Sequence, residues 1–263
     1  MAQTAEEMGT RDFLVTLCGK AGRVILESLG DCMQVEHKGE VDLVTQVDLA
    51  LERMIVEAIR DSYPGHSVLS EEGAQDREGP GSGHTWIVDP LDGTTNYVHG
   101  YPLFCVSLAL ASGEDVLVGA IYDPLHDEFF YAEKGGGATL NDQRIGVSST
   151  DRLISSLLST GFPYDRASIP DTLVQFNRLV PKLQGVRRSG SLSLDLAYVA
   201  AGRLDGHWEL HVKPWDVAAG GLLVMEAGGR VSGQGGTPWS PFESRIVATN
   251  GKIHDELLAV LGS

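Results

Sequence analysis

Asp89 and Asp92 stand on either side of a proline at the end of an apolar run, in the stretch WIVDPLDGTTNYVHG, residues 86–100. Two carboxylates that converge on one point repel each other unless a cation lies between them, and a hard cation such as Mg²⁺ prefers oxygen ligands. Gly93, Thr94 and Thr95 follow at once, where a helix or tight turn should begin. Such a start offers free backbone N–H groups, which suit an anion. A cation site beside an anion site is the arrangement phosphoryl chemistry needs. Asp-Pro and Asp-Gly are also common turn formers. Turn chemistry accounts for one of the two acids, but less well for both acids followed by a glycine and two hydroxyls after an apolar strand. In α/β sheets, ligands gather at such carboxyl ends.

Four further segments carry candidate chemistry. Ser70-Glu71-Glu72-Gly73 again follows an apolar run, and paired acids beside a glycine also suit a solvated turn. Thr45 and Asp48 satisfy the pattern [ST]-x-x-[DE], a capping box at the start of a helix. Asp216, in KPWDVAAGGLLVMEAGG (residues 213–229), falls in a first helical turn, where the helix dipole favours an acid in any case. Gly190 and Ser191 precede Leu192 in RRSGSLSLDLAYVAAGRLDGHWEL (residues 187–210), where they could simply cap a helix.

These residues need elements to position them. Amphipathic helices are expected over residues 13–29 and 45–61; in the second, Val47, Leu51, Met54, Ile55, Ala58 and Ile59 share one face. Apolar runs at 66–69, 85–88, 104–111, 116–122 and 128–131 read as strands, the last two forming a hairpin around Asp123-Pro124. Residues 154–159 read as a strand, 172–180 as a helix, 185–188 as a strand and 192–201 as a helix. Then follow a strand at 203–210, a helix at 215–227, a strand at 245–249 and a helix at 253–261. Interleaved strands and helices with no polar linker predict one layered α/β unit over 1–263.

Composition narrows the options. The 263 residues are 42% hydrophobic and 21% charged, ordinary for a globular enzyme, and 32 glycines fit many tight turns. Lys plus Arg number 20 against 36 Asp plus Glu, a formal charge of −16. That argues against polyanionic partners such as nucleic acid or acidic membrane. It would also repel a phosphorylated substrate unless bound metal reversed the local sign. The three cysteines, Cys18, Cys32 and Cys105, are widely spaced without a CxxC, as expected of a reduced, cytoplasmic protein. Residues 1–10 lack the apolar core of a signal peptide, and no apolar run reaches membrane-spanning length.

Taken in order, the segments around Asp48, Glu71, Asp89 to Gly100, Gly190 to Glu209 and Asp216 resemble the inositol monophosphatase family. That resemblance implies an αβαβα sandwich and a phosphomonoesterase that uses two to three Mg²⁺ ions and is sensitive to Li⁺. By carry-over, Glu71, Asp89 and the Leu91 carbonyl would hold one ion, and Asp89, Asp92 and Asp216 a second. Thr94, buttressed by Asp48 and close to Glu71, would orient the attacking water without forming a phosphoenzyme. Backbone N–H groups of Gly93, Thr94 and Thr95 would hold phosphate, with Asp92 and Asp216 nearby. Gly190, Ser191 and Leu192 would shape the alcohol pocket, and Glu209 would grip a hydroxyl. Leu192 departs from the small residue common there. Lys38 matches an active-site lysine of the family, one residue out of step.

The substrate implied is a small phosphorylated polyol, inositol 1-phosphate first. The superfamily also holds fructose-1,6-bisphosphatase, histidinol-phosphate phosphatase and nucleotide 3′-phosphatase; the last two commonly have Asp-Gly-Thr-Lys where this chain has Asp92-Gly93-Thr94-Thr95. A homodimer is expected from the relatives. Some bacterial relatives bind the transcription machinery, for which Arg187-Arg188 offers a contact.

Overall fold

Two amphipathic helices lie near the start of the structure, a computed structural model that describes residues 9–30, 35–37, 43–73 and 83–262. The first, α1 (Thr10–Glu27), buries Phe13, Leu14, Leu17, Cys18, Ala21 and Ile25, a stripe at three- and four-residue spacing. A short antiparallel pair, β1 (Val35–His37) and β2 (Leu43–Thr45), leads into α2 (Gln46–Ser62). Lys38 lies outside the described residues, as does Cys32. Thr45 caps α2 as expected: its Oγ1 accepts from the N–H groups of Val47 and Asp48 (3.1 and 3.4 Å), while Asp48 Oδ2 accepts from the Thr45 N–H (2.9 Å).

Seven strands then build the first sheet: β3 (Ser67–Ser70), β4 (His84–Asp92), β5 (Cys105–Ser112), β6 (Asp115–Asp123), β7 (Glu128–Glu133), β8 (Gly137–Leu140) and β9 (Gln143–Arg144), paired in chain order. Only β3 and β4 run parallel; the other pairs are antiparallel. The hairpin around Asp123-Pro124 forms because Asp123 Oδ1 accepts from the N–H groups of Leu125 and His126 (2.9 and 3.1 Å). A one-turn helix, α3 (Thr94–Val98), sits between β4 and β5.

The second sheet is mixed. In sequence come β10 (Leu157–Thr160), α4 (Ile169–Leu179), β11 (Gly185–Arg187), α5 (Leu192–Ala200), β12 (Gly206–Leu210), α6 (Pro214–Glu226), β13 (Arg230–Ser232), β14 (Arg245–Thr249) and α7 (His254–Leu261). The strand order is β11-β10-β12-β14-β13, with β10 parallel to both its neighbours and β14 antiparallel to both of its own. The strand expected over 154–159 starts later. Leu153–Ser155 make a 3₁₀ turn that buries Leu153, and the Ser156 hydroxyl bonds back to the Leu153 carbonyl (2.6 Å), so pairing begins at Leu157.

Period-two alternation distributes the strands' side chains between the layers. In β4, Trp86 and Val88 join Leu14, Leu51 and Ile55 under α1 and α2, while Ile87 points the other way, to Leu222 and Leu223 of α6. In β14, Ile246 and Ala248 face that middle layer and Val247 faces Leu257 and Leu261 of α7. The result is the expected αβαβα stack: α1 and α2, the seven-stranded sheet, α5 and α6, the five-stranded sheet, then α4 and α7. Each fully buried Leu, Ile or Val in these layers contributes about 1.5–3 kcal/mol. Among the described residues no helix is long and apolar enough to cross a membrane. Cys18 and Cys105 are buried and unpaired.

Candidate active site

The two aspartates of β4 owe their placement to a broken ladder. Asp89 pairs with Ser107 and Asp92 with Cys105, so three steps on β4 match two on β5, a bulge. Pro90, which cannot donate a hydrogen bond, occupies that bulge. The Leu91 N–H turns inward to Asp89 Oδ1 (3.1 Å). Next, Gly93 adopts φ +91°, and a Cβ there would lie 2.9 Å from the Leu103 carbonyl oxygen, so only glycine makes this corner. It caps α3, whose first N–H groups, on Thr94 and Thr95, precede the helix's own hydrogen bonds.

Thr94 is held from two sides. Its Oγ1 lies 2.9 Å from Asp48 Oδ1 and 3.0 Å from the Leu91 carbonyl oxygen. Asp48 is itself fixed by the Thr45 cap, so the start of α2 rigidly supports the Thr94 hydroxyl. Burial raises the Asp48 carboxyl pKa, opposed by the hydrogen bonds from Thr45 and Thr94. The Leu91 carbonyl, expected to face a metal, has a second lone pair beyond the one directed at Thr94.

The remaining acids come from three other elements. Glu71 follows β3, and its N–H donates to the Val88 carbonyl (3.2 Å), which sets it beside Asp89. Asp216, in the first turn of α6, accepts from the Lys213 N–H through Oδ2 (2.7 Å). The Asp92 Oδ2 accepts from the Ser191 hydroxyl (2.6 Å), the Ser193 N–H (2.8 Å) and the Cys105 thiol (3.7 Å), tying β4 to the start of α5. Asp89, Asp92 and Asp216 thus each commit one carboxylate oxygen to a fixing bond. The second oxygen of each accepts no hydrogen bond from the described residues.

Electrostatics follows from that geometry. The Asp89 carboxyl is pushed well above the usual carboxylate range by burial, then by the charges of Glu71, Asp92, Asp216 and Asp48. Asp216 is raised well above it too, by burial first and then by Asp92, Glu71 and Glu209, against the Lys213 N–H bond. Asp92 is raised by burial, against the bonds from Ser191, Ser193 and Cys105. Buried oxygen donors that destabilise one another as anions, each keeping a lone oxygen, suit a hard divalent cation. As they stand, no three His, Cys, Asp or Glu side chains among the described residues are closed around a single point to hold an ion. The donor chemistry, buried carboxylates beside the Leu91 carbonyl, fits such a cation.

Two adjoining hollows open on Asp92, Glu71 and Asp216; Asp89 lines neither. The inner one, about 90 Å³, is lined by Asp92, Asp216, Glu209 and Asp195, with Phe162 and Leu192 as its apolar walls. Gly190, at φ +90°, and Ser191 also line it, so Gly190, Ser191, Leu192, Glu209 and Asp216 are brought together as expected. The outer hollow, about 430 Å³, adds Glu71, Lys213, His211 and Trp215. Gly93, Thr94 and Thr95 line neither hollow. Arg188 lines the inner one, while Arg187 is exposed and bonds the Val186 carbonyl (3.0 Å).

Several residues at the site escaped the sequence reading. Gly161 lies against the Glu209 carboxylate: a Cβ there would be 2.1 Å from Oε1. Asp195 reaches the hollow from α5, its carboxyl pushed up to about 7 by burial despite the neighbouring His207. His207 lies on the same face of β12 as Glu209, two residues away along the strand.

Comparison with known proteins bears directly on this geometry. The sequence profile described as the inositol monophosphatase family matches residues 8–262. An inositol-1-monophosphatase from Synechocystis sp. is 45% identical over 92% of this chain and 85% of its own length. Nus factor SuhB from Pseudomonas aeruginosa is 43% identical, over 92% of this chain and 91% of its own. Among solved structures, the extragenic suppressor protein suhB from Bartonella henselae superposes with a TM-score of 0.91 at 40% identity, covering 95% of this chain and 97% of its own.

Proposed function

Because the chain belongs to the inositol monophosphatase family, we propose that it hydrolyses a phosphate monoester with Mg²⁺, inositol 1-phosphate giving myo-inositol and phosphate. The observation that carries this is Asp89: fully buried, ringed by Glu71, Asp92 and Asp216, with one carboxylate oxygen left unbonded. Glu71, Asp89, the Leu91 carbonyl, Asp92 and Asp216 would hold two to three ions. When bound, the ions supply neutralising charge and make water a better nucleophile.

The chain's own residues do the rest. Asp48 holds Thr94 so that its hydroxyl orients the attacking water. The N–H groups of Gly93, Thr94 and Thr95 hold phosphate oxygens. Water adds to phosphorus as the ester P–O bond breaks, and the proton it gives up balances the one the departing alkoxide takes up to leave as an alcohol. Gly190, Ser191 and Leu192 shape the alcohol pocket, and Glu209 accepts a hydrogen bond from one of its hydroxyls. The whole chain acts as one catalytic unit, in a homodimer in the cytoplasm.

The test is phosphate release with Mg²⁺ from inositol 1-phosphate, fructose 1,6-bisphosphate, histidinol phosphate and adenosine 3′,5′-bisphosphate. The expected result is preference for the first, abolished by EDTA and inhibited by Li⁺. Asp89→Asn should lower turnover by at least ~100-fold, the scale of losing one transition-state charge stabiliser. A folded Asp89→Asn protein with near-normal turnover would refute the ligand assignment, and silence on all four esters would refute the phosphatase.

The relative named as a Nus factor favours a second role, attachment to the transcription machinery, which is compatible with catalysis. A pull-down with RNA polymerase at physiological salt tests it; no retention disposes of it.

A further inference from the structure

Behind Glu209 lies a buried imidazole. In β12, Trp208 turns to the outer core with Leu158 and Val247, so His207 and Glu209 share the opposite face, toward α5. His207 is 0% exposed. Its Nε2 lies 3.2 Å from Glu209 Oε2. Nδ1 lies 2.9 Å from the hydroxyl of Ser159, its register partner on β10, and 3.6 Å from Asp195 Oδ2 on α5. On the other side, β14 pairs Ala248 with it. The ring therefore faces two carboxyl groups and one hydroxyl, and both of those carboxyl groups line the inner hollow.

This is not how the chain treats a histidine that only fills space. His254, also 0% exposed, sits between two neutral hydroxyls, Ser232 at Nε2 and Thr249 at Nδ1, each 2.9 Å away. His207 has a hydroxyl on one nitrogen only. Its Nε2 makes no aligned hydrogen bond as the side chains stand, yet lies 3.2 Å from Oε2 of an acid of the hollow. With Ser159 on Nδ1, the ring can carry its proton on Nε2, facing Glu209. Glu209 shares the inner hollow with Asp92, Asp195 and Asp216, so mutual repulsion would drive its carboxylate away unless a donor held it. Gly161, without a side chain, leaves room for both oxygens of the Glu209 carboxylate.

We propose that His207 is a positioning residue: it anchors Oε2 of Glu209 so that Oε1 faces the alcohol, which makes the site selective for phosphate esters carrying a neighbouring hydroxyl, polyol phosphates, over aryl phosphates. The inference rests on the phosphatase reading given above. It assigns the choice of alcohol to a side chain that touches neither substrate nor ion.

The test compares inositol 1-phosphate with p-nitrophenyl phosphate in steady-state kinetics with Mg²⁺, for the full chain and three variants. His207→Phe, which keeps a ring without donors, should raise KM for inositol 1-phosphate about 10-fold, the scale of losing a hydrogen bond to a charged group. Its kcat, and its KM for p-nitrophenyl phosphate, should stay within about twofold. His207→Gln, whose amide nitrogen lies near the position of Nε2, should restore most of the KM. If the Phe variant does not fold, His207→Asn replaces it, since its shorter amide faces Ser159 and does not reach Glu209. Equal effects on both esters, an unchanged KM ratio in the folded Phe or Asn variant, or failure of Gln to restore it would each overturn the proposal. Unmodified protein that cleaves p-nitrophenyl phosphate but no polyol phosphate would overturn it while leaving a phosphatase. Absence of Mg²⁺-dependent cleavage of either ester would remove the phosphatase reading, and this inference with it.

Discussion

Replacing Gly161 with alanine should weaken substrate binding without touching Asp89, Asp92 or Asp216. Gly161 follows β10 and faces Glu209 on β12, and its φ lies outside the left-handed region, so the backbone tolerates a side chain. The added Cβ would lie 2.1 Å from Glu209 Oε1 and 2.3 Å from its Cδ. Restoring ordinary contact at about 3.5 Å moves Oε1 by about 1.4 Å. A hydroxyl hydrogen bond of about 2.8 Å would then exceed the length at which it still counts as one. His207, 3.2 Å from the same carboxylate, limits where it can retreat. Losing a hydrogen bond to a charged acceptor costs about 1.5–3 kcal/mol, which is a KM roughly 10- to 150-fold higher. Turnover at saturation should change little, because Asp89, Asp92, Asp216 and Thr94 stay in place. Steady-state kinetics on inositol 1-phosphate, with a thermal melt to verify folding, reads both quantities. A folded variant with KM within about twofold of normal would show that Glu209 does not grip the substrate in this orientation.

In the metal-free protein, raised carboxyl pKa values mean that the fold binds more protons than the unfolded chain, so stability should be greatest in acid and fall as pH rises through the folded values. Asp195 alone, raised from 3.8 to about 7, gives about 4 kcal/mol lost between about pH 4 and 7. Thermal melts with EDTA should therefore show a higher Tm at pH 5.5 than at pH 8, and Mg²⁺ should raise Tm more at pH 8; a metal-free Tm rising with pH contradicts the buried acid cluster. Gly93→Ala, forced to φ +91° against the Leu103 carbonyl, should cost about 1–3 kcal/mol and depress turnover as Asp92 and Thr94 shift, visible in a melt and a phosphate assay. An unaltered melt would mean the corner relaxes freely. Thr45→Ala should cost about 1 kcal/mol through the lost cap, and lower kcat with little change in KM by loosening Asp48 under Thr94. A kcat equal to that of the unmodified chain would uncouple the cap from the site.

The four candidate ligand acids were legible in the sequence because each sits at a punctuation mark. Asp89 and Asp92 flank Pro90, Glu71 follows a strand, and Asp216 opens a helix. The long elements were legible through periodicity, and the capping box through its own spacing. β8 and β9 were not, because residues 135–144 are rich in glycine and polar residues and read as turn; they close the sheet on one side, β9 at its edge, with little apolar pattern. β13 was too short to register. His207 was invisible for a different reason. A single histidine in an apolar strand reads as core, and only the register of β10 against β12 brings Ser159 beside it, while the packing of α5 supplies Asp195. Gly161 was equally silent, since its meaning lies in the carboxylate that fills its missing side chain.

The middle helical layer gives the chain a timetable. Glu71, Asp89 and Asp92 leave the ribosome long before Asp216, which follows Asp92 by 124 positions (216 − 92). Until α6 is made, the first sheet lacks both the fourth acid and Leu222 and Leu223, which cover Ile87 on its inner face. A nascent chain is therefore without its complete cation site for as long as its inner core stands open. An early stop should yield an aggregation-prone fragment instead of a weak enzyme, and cation affinity marks a chain whose two sheets have come together.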